Sequence, residues 1–393
     1  MKGVRIALPN PVKRIISTLN KAGFEASAVG GCVRDSLLKR EPQDWDITTN
    51  ARPEEVKQLF RRTVDTGIQH GTVTVMVGKE GYEVTTYRID GVYTDARHPE
   101  QVTFAGAIRE DLLRRDFTIN AMAYNSKDGL IDIFSGREDL DKKVIRAVGV
   151  PSQRFSEDAL RIMRCVRFSA QLGFTIDERT FEAARALSGN LQKISRERIR
   201  DELMKTLMSD HPSLVSRFED IGAMPYIFPD FTAYKAERLK KLEKADKDRL
   251  LRLACFLYKE PPLRAEALLK DLRFDNDTVT RTVKLLSSCM TGIRPDDRFL
   301  RHLMASFGED DVERLLKFTG NEALVPAVRI IKERGDCVSL KTLALTGNDL
   351  IALGLKPGPE LGKILNSLLK KVLDDPSLNT KEHLTALFLE KNS

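Results

Sequence analysis

Two periodicities divide the chain. Up to about residue 150, short alternating apolar runs are interleaved with helical stretches, whereas beyond Pro151 apolar positions recur almost only at helical spacing. In the first part, residues 24–29 read as a strand entering Gly30-Gly31, and residues 33–38 as a short helix. Residues 45–48 are strand-like, and 53–60 begin a helix with a proline in its first turn, where a missing N–H is tolerated. Residues 72–77 (TVTVMV) alternate with period two, 78–81 supply a turn and 82–88 alternate again, which predicts a β-hairpin. Later, Leu160, Met163, Arg164, Arg167 and Phe168 fall on one long helical stretch, and Leu203, Leu207 and Met208 on another. Further helices are expected at 249–257, 280–287, 312–318, 361–373 and 381–389, with no fixed-period repeat. The fold class is therefore α+β, with a mixed head followed by an all-helical remainder.

Composition narrows the picture only a little. A chain of 393 residues exceeds what one hydrophobic core supports, so several domains are expected. The excess of 64 basic over 57 acidic residues gives a net charge of +7, which permits a polyanionic partner without demanding one. The five cysteines include no CxxC pair, which argues against a disulfide framework or zinc knuckle. The five histidines show no metal-ligand spacing, so an HD-type phosphohydrolase site has no support. No apolar run approaches the roughly 20 residues of a membrane span. A cytoplasmic protein with no membrane association is expected.

Candidate chemistry concentrates in the head. Gly30-Gly31 at a strand-to-helix turn exposes backbone N–H groups and lets a ligand approach, and the helix start favours phosphate. Arg34 adds a planar cation suited to phosphate oxygens. Asp44 and Asp46, two apart in a strand-like run, would share one face. Side by side they repel unless a cation lies between them, and magnesium takes oxygen ligands. Each signal is weak alone, but an Asp-x-Asp a dozen or so residues after a double-glycine turn is specific.

Those residues belong to a longer pattern. GGCVRDSLL…DWDITTNARPEEV resembles the motif of the class II tRNA nucleotidyltransferase and bacterial poly(A) polymerase family, within the DNA polymerase β superfamily. The likeness continues through HGTVTV, YEVTTYR, EDLLRRDFTINAMAY, DIFSGREDLDKKVIRAVG, RFSEDALRIMRCVRFSAQLGF and ISRERIRDEL, and weakly in LTGNDLIALGLKPGPELGKIL. It implies a polymerase-β-like head at 1–150, then a helical neck at 151–208, a body at 209–295 and a tRNA-binding tail at 296–393. It also implies two metal ions on Asp44 and Asp46, and a third carboxylate for which Glu83 is the candidate. Alternation lets Glu83 face the site while Val84 faces the core. The resemblance assigns Arg114-Arg115-Asp116, Thr118 and Asn120 to ribose and triphosphate contacts. Arg115 would hold phosphate, and Asp116 or Asn120 the ribose hydroxyls.

The segment Glu157-Asp158-Ala159-Leu160-Arg161 resembles the family's nucleotide-selecting motif, and its chemistry can be argued independently. Cytosine and adenine each present an amino donor beside a ring-nitrogen acceptor. A carboxylate accepts and a guanidinium donates. Asp158 and Arg161, three apart on a helix, would therefore accept C and A and oppose G and U. The plainer alternative is an ordinary i,i+3 ion pair. Glu157 would orient Arg161, and Arg164 would brace the helix or reach the nucleotide. The implied reaction adds C, C and A to the 3′ end of tRNA from CTP and ATP. Poly(A) polymerases, partial enzymes adding only CC or only A, and non-catalytic RNA-binding modules are the alternatives. Residues 95–99 resemble the family's flexible loop, and 354–362 are either a phosphate-contacting element or a helix stop and restart.

Overall fold

A computed structural model describes residues 4–90, 102–231, 235–288 and 296–392. The chain divides into two compact units, Met1–Thr232 and Ala233–Ser393. The first unit opens with helix α1 (Asn10–Lys21), which buries Val12, Ile15, Ile16 and Leu19, one stripe at i, i+3, i+4 and i+7. Strands β1 (Ala26–Val29), β2 (Ile47–Thr49), β3 (Thr63–Gly67), β4 (Thr72–Val77), β5 (Glu80–Thr86), β8 (Met122–Asn125) and β9 (Gly129–Asp132) form one mixed sheet in the order β3-β4-β5-β2-β1-β8-β9. Strands β6 (Arg88–Asp90) and β7 (Val102–Phe104) pair separately. All four residues of β1 are buried, so it is the sheet's spine.

The expected hairpin is present, with a tighter turn than the alternation suggested: only Gly78 and Lys79 separate β4 from β5. Helix α2 (Gly31–Leu37) starts two residues earlier than expected, at the second glycine. Helix α3 (Pro53–Leu59) has proline in its first turn as expected. The strand-like run at 45–48 needs correction. Strand β2 begins at Ile47, so Asp44 and Asp46 precede it. The reason is pairing: β1 ends at the Gly30 turn, and the Val29 N–H donating to the Asp46 carbonyl at 3.0 Å closes the ladder on that side.

Helix α4 (Ile108–Leu113) leads into Arg114-Arg115-Asp116, a 3₁₀ turn over Thr118–Asn120, and then β8. Beneath these segments Val29, Leu112, Ala121, Ala123 and Val148 form a buried core, extended by Ile108, Ile131 and Phe134. After α5 (Gly136–Lys142) come α6 (Pro151–Glu157), α7 (Leu160–Leu172), α8 (Glu178–Leu187) and α9 (Arg196–Leu207). Helix α7 packs on α9 and carries a buried ion pair, Arg167 with Glu202 at 3.1 Å.

Every described secondary-structure element of the second unit is a helix. Helices Arg249–Phe256, Asn276–Leu286, Asp297–Phe307 and Gly347–Ala352 are capped by Asp248, Asp275, Asp296 and Thr346, whose side chains accept first-turn N–H groups. Residues 353–358 join Gly347–Ala352 to Pro359–Asp374, which is the helix stop and proline-led restart. Among the described residues no helix is long and apolar enough to cross a membrane, and Cys32, Cys165, Cys255 and Cys337 are free thiols.

One close approach under the site is testable. A β-carbon at Gly136 would lie 2.2 Å from the Thr118 carbonyl oxygen and 2.9 Å from Met122 Cγ. Backbone cannot yield as a flexible side chain can. Gly136→Ala should therefore destabilise the fold by roughly 1–3 kcal/mol or more, the scale of overpacking, read as a lowered urea midpoint in circular dichroism.

Candidate active site

The turn between β1 and α2 is built around Gly30, whose φ of 84° suits glycine. A β-carbon there would sit 2.8 Å from Arg115 Nη1, so glycine is what lets that guanidinium lie against the turn. From α2, Gly31 leads to Arg34, which pairs with Asp35 at 2.8 Å and donates to Asn120 Oδ1 at 2.7 Å. Asn120 Nδ2 donates to Asp116 Oδ1 at 3.0 Å, and Arg164 Nε donates to Asp116 Oδ2 at 2.7 Å. One chain of polar contacts thus runs Arg34–Asn120–Asp116–Arg164, through four of the residues expected from the sequence. Burial alone would push the Asp116 carboxyl up. The Arg164 charge and the hydrogen bonds from Asn120 and Arg164 overcome it and hold Asp116 well below the usual carboxylate range.

Asp111, which the sequence reading passed over, is fully buried in α4. Its Oδ1 accepts from Arg114 Nε and Nη2 at 3.0 and 2.7 Å, and its Oδ2 from Thr48 Oγ1 at 3.2 Å and more weakly from Arg115 Nη2 at 3.4 Å. The cost of burying it is offset by the charges of Arg115 and Arg114, which hold its carboxyl low. Its spacing to both arginines, i,i+3 and i,i+4, was a legible signal. Arg115 Nε is buried with no hydrogen-bond partner, leaving this guanidinium with unused donor capacity.

Asp44, Asp46 and Glu83 line one cleft of about 660 Å³, with Trp45 and Tyr82 beside them. The parallel register of β2 with β5, Ile47 opposite Val84, brings Asp46 alongside Glu83. Val84 is buried and Glu83 is exposed, as the alternation required. Desolvation, followed by the charges of Asp46 and Asp44, raises the Glu83 carboxyl. Desolvation and Asp44 raise Asp46, against the pull of Arg115. Among the described residues no three metal-binding side chains converge to ligand spacing by themselves. Still, mutually repelling, solvent-facing carboxylates are hard oxygen donors of the kind that suits a hard divalent cation.

A second opening of about 230 Å³ gathers Arg115 and Asp116 with Asp158, Arg161, Arg164 and Arg198. Here the sequence reading of Asp158 and Arg161 needs correction. Helix α6 ends at Glu157 and Asp158 is extended (φ −139°, ψ 103°), so Asp158 lies outside the helix that carries Arg161; only its carbonyl meets the Arg161 N–H, and the two side chains do not pair. Asp158 Oδ1 accepts the Leu160 N–H at 3.0 Å and Oδ2 accepts from Arg198 at 3.2 Å. Arg161 donates to Glu157 Oε2 at 2.7 Å, as expected, and also to the carbonyls of Arg114 at 2.7 Å and Arg154 at 3.1 Å. Arg154 in turn binds Glu157 and donates to the Leu113 carbonyl at 2.8 Å. Neighbouring Arg34, Arg164 and Arg167 stand 5.1, 5.4 and 4.2 Å from the centre of the Phe168 ring. Arg198 had no local signal, lying 40 residues from its partner. The loop expected at 95–99 lies outside the described residues.

Three family models match the chain: the Poly A polymerase head domain at 26–146, the probable RNA and SrmB-binding site of polymerase A at 173–235, and a putative tRNA nucleotidyltransferase domain 2 at 244–388. The chain is 38% identical over 396 residues to the CCA-adding enzyme of Levilactobacillus brevis, covering 95% of each. It is 37% identical over 404 residues to that of Enterococcus faecalis, covering 98% of this chain and 97% of the relative. The Bacillus stearothermophilus CCA-adding enzyme in complex with CTP superposes with a TM-score of 0.84 at 31% identity, over 98% of both chains. The Thermotoga maritima enzyme complexed with tRNA shares the fold, with a TM-score of 0.66 at 22% identity over 99% of this chain and all of that one.

The lowered Asp116 carboxyl has a consequence for acid stability. In the unfolded chain it titrates near the ordinary value of about 3.9, while in the folded chain it stays ionised lower. Its contribution is complete well above the unfolded value and is lost as pH falls toward the folded one. Thermal midpoints measured from pH 5 downward should fall less steeply for Asp116→Asn than for the wild type, from a lower starting value. Parallel slopes would show that Asp116 is not the linked group.

Proposed function

The chain belongs to the CCA-adding enzymes, and we infer from that membership that it builds the CCA end of tRNA by adding C, C and A from CTP and ATP without a template. The observation that best supports this reading at the site is the 230 Å³ opening that gathers Arg115, Asp158, Arg161 and Arg164 in the unit that also holds Asp44 and Asp46. In each cycle the 3′-hydroxyl oxygen of the RNA attacks the α-phosphorus of the nucleotide, the α–β phosphoanhydride bond breaks, and pyrophosphate leaves.

The chain's own residues divide the work as follows. Arg115, whose guanidinium lies against the Gly30 turn and lines the smaller opening, binds triphosphate oxygens together with that turn and Arg34. Asn120 is held by Arg34 and Asp116 and presents its remaining capacity to the ribose. Arg164 braces Asp116. Asp158 accepts the base's amino group and Arg161 donates to its ring nitrogen. This acceptor-donor order suits cytosine and adenine and opposes guanine and uracil. Selection thus rests on two groups fixed by separate partners, Arg198 for one and Glu157 with two carbonyls for the other.

CCA-adding nucleotidyltransferases are metal-dependent. Asp44 and Asp46 would hold the metal, with Glu83 as the third carboxylate, and magnesium is the ion their hard oxygens suit. Bound there, it supplies Lewis acidity toward the attacking hydroxyl and the departing pyrophosphate. The cytoplasm is the compartment that provides both tRNA and the nucleotides. The helical second unit carries the third matched domain and is assigned to tRNA, held mainly through phosphates.

Incorporation assays on tRNA transcripts lacking CCA, CA or A test the activity. Stepwise completion of the CCA end on all three is expected, by adding CCA, CA and A respectively, and poly(A) tailing or a stop after CC would refute it. Asp44→Ala and Asp46→Ala should each lower incorporation by on the order of a thousandfold or more, the scale of removing a principal catalytic group, while tRNA affinity stays near wild type. Near-wild-type turnover in either folded variant would remove it from the metal site. Asp158→Ala and Arg161→Ala should relax discrimination against UTP and GTP or depress C and A addition together. Their effects should be non-additive, because both meet one base edge; simple additivity with intact fidelity would make the two residues structural.

A further inference from the structure

The two openings of the first unit carry opposite charge. The smaller one is lined by Arg115, Arg161, Arg164 and Arg198 against only Asp116 and Asp158. The larger one is lined by Asp44, Asp46, Glu80 and Glu83, with no lysine, arginine or histidine among the described residues, and its remaining walls include Trp45 and Tyr82. The cations of the first suit a triphosphate, which would meet the carboxylates of the second only through the divalent metal that the proposed function places there. Beside those carboxylates, the aromatic walls of the second suit a group that offers a flat face: a nucleobase. The Tyr82 ring is set by its strand and by its hydroxyl, which donates to Glu80 Oε2 at 2.6 Å. Trp45 lines the same cleft as Asp44 and Asp46, so a base stacked there is next to the carboxylates that the reaction uses.

We propose that Trp45, with Tyr82, is the stacking platform for the terminal base of the RNA that is being extended. The proposal rests on the nucleotidyl-transfer reading of this site and adds the contact that seats the acceptor. The chemistry of the acceptor supports it. The terminal base changes as residues are added, so hydrogen-bond readout suited to one end would fail at the next. An aromatic face accepts every base, because every base has a π-face, and such contacts are sequence-tolerant. The nucleotide being added, by contrast, must be discriminated, and its opening is furnished with acceptors and donors instead of aromatic rings.

Trp45 is the chain's single tryptophan, so its emission reports this position alone. The wild-type protein is titrated with tRNA lacking CCA, with the same tRNA carrying an abasic 3′-terminal residue, and with CTP alone, while binding of labelled tRNA is followed by anisotropy. The intact end should quench Trp45; the abasic end should bind but quench much less; CTP alone should leave the emission unchanged. Equal quenching by both RNAs, quenching by CTP alone, or none at saturating tRNA would overturn the proposal. In turnover, Trp45→Ala should raise KM for tRNA by on the order of tenfold, more for a purine than a pyrimidine end, with KM for CTP unchanged and most of the loss restored in Trp45→Phe. An equal loss in Trp45→Ala and Trp45→Phe, or a loss blind to the terminal base, would also overturn it. Absence of incorporation by the wild type would instead refute the activity itself, and the emission titration does not depend on turnover.

Discussion

Asp116 is buried, and a buried carboxylate must be paired or it forfeits several kcal/mol. Its two oxygens are taken by residues from different parts of the chain: Asn120, itself held by Arg34 of α2, and Arg164 of α7. The requirement to satisfy one carboxylate therefore fixes α2 and the Gly30-Gly31 turn at its start relative to the helix that carries Arg161. The Leu113–Arg114 backbone adds to the same joint, since its consecutive carbonyls accept from Arg154 and Arg161. Much of the site is in this sense a set of guanidiniums arranged to neutralise buried oxygens, and what remains of their donor capacity is available to a ligand.

Burial of so many arginines needs a second device. Arg34, Arg164 and Arg167 would repel one another, and Arg167 is the most desolvated in effect: burial lowers it to about 10 despite the Glu202 charge. The Phe168 ring beneath all three presents its negative face to cations without adding a carboxylate that would compete for phosphate. An aspartate in that place would pair the arginines with each other's partners and leave less positive field for a nucleotide. An aromatic ring keeps the field.

The sequence made the head legible where function forces local spacing. The double glycine, Asp44 and Asp46, and the alternation that exposes Glu83 and buries Val84 all lie where the pattern put them, or within a residue or two. The misreadings arose where a long-range partner outranked a local one. Periodicity across Glu157–Arg161 suggested a continuous helix, yet the chain breaks at Asp158 because its carboxylate caps the next helix and binds Arg198. A helical i,i+3 rule has no way to anticipate a partner 40 residues on. Similarly, Asp44 and Asp46 share a cleft without sharing a strand, since the end of β1 decides where β2 can begin.

On the proposed reading of Asp158 and Arg161 as the groups that meet the base, that break at Asp158 is itself a constraint on selection. Were Glu157 to Leu172 one helix, Asp158 and Arg161 would lie one turn apart and pair with each other, and a nucleobase would have to break that pair before being read. With the chain extended at Asp158, the cap N–H and Arg198 hold the carboxylate while Glu157 and two carbonyls hold the guanidinium. Acceptor and donor are then kept apart, each oriented by neighbours that a base does not displace. Fixing both groups before the ligand arrives spares the ordering that binding would otherwise require. On the same reading it would also make the wrong base costly, because a misplaced carbonyl would meet a carboxylate that cannot turn away.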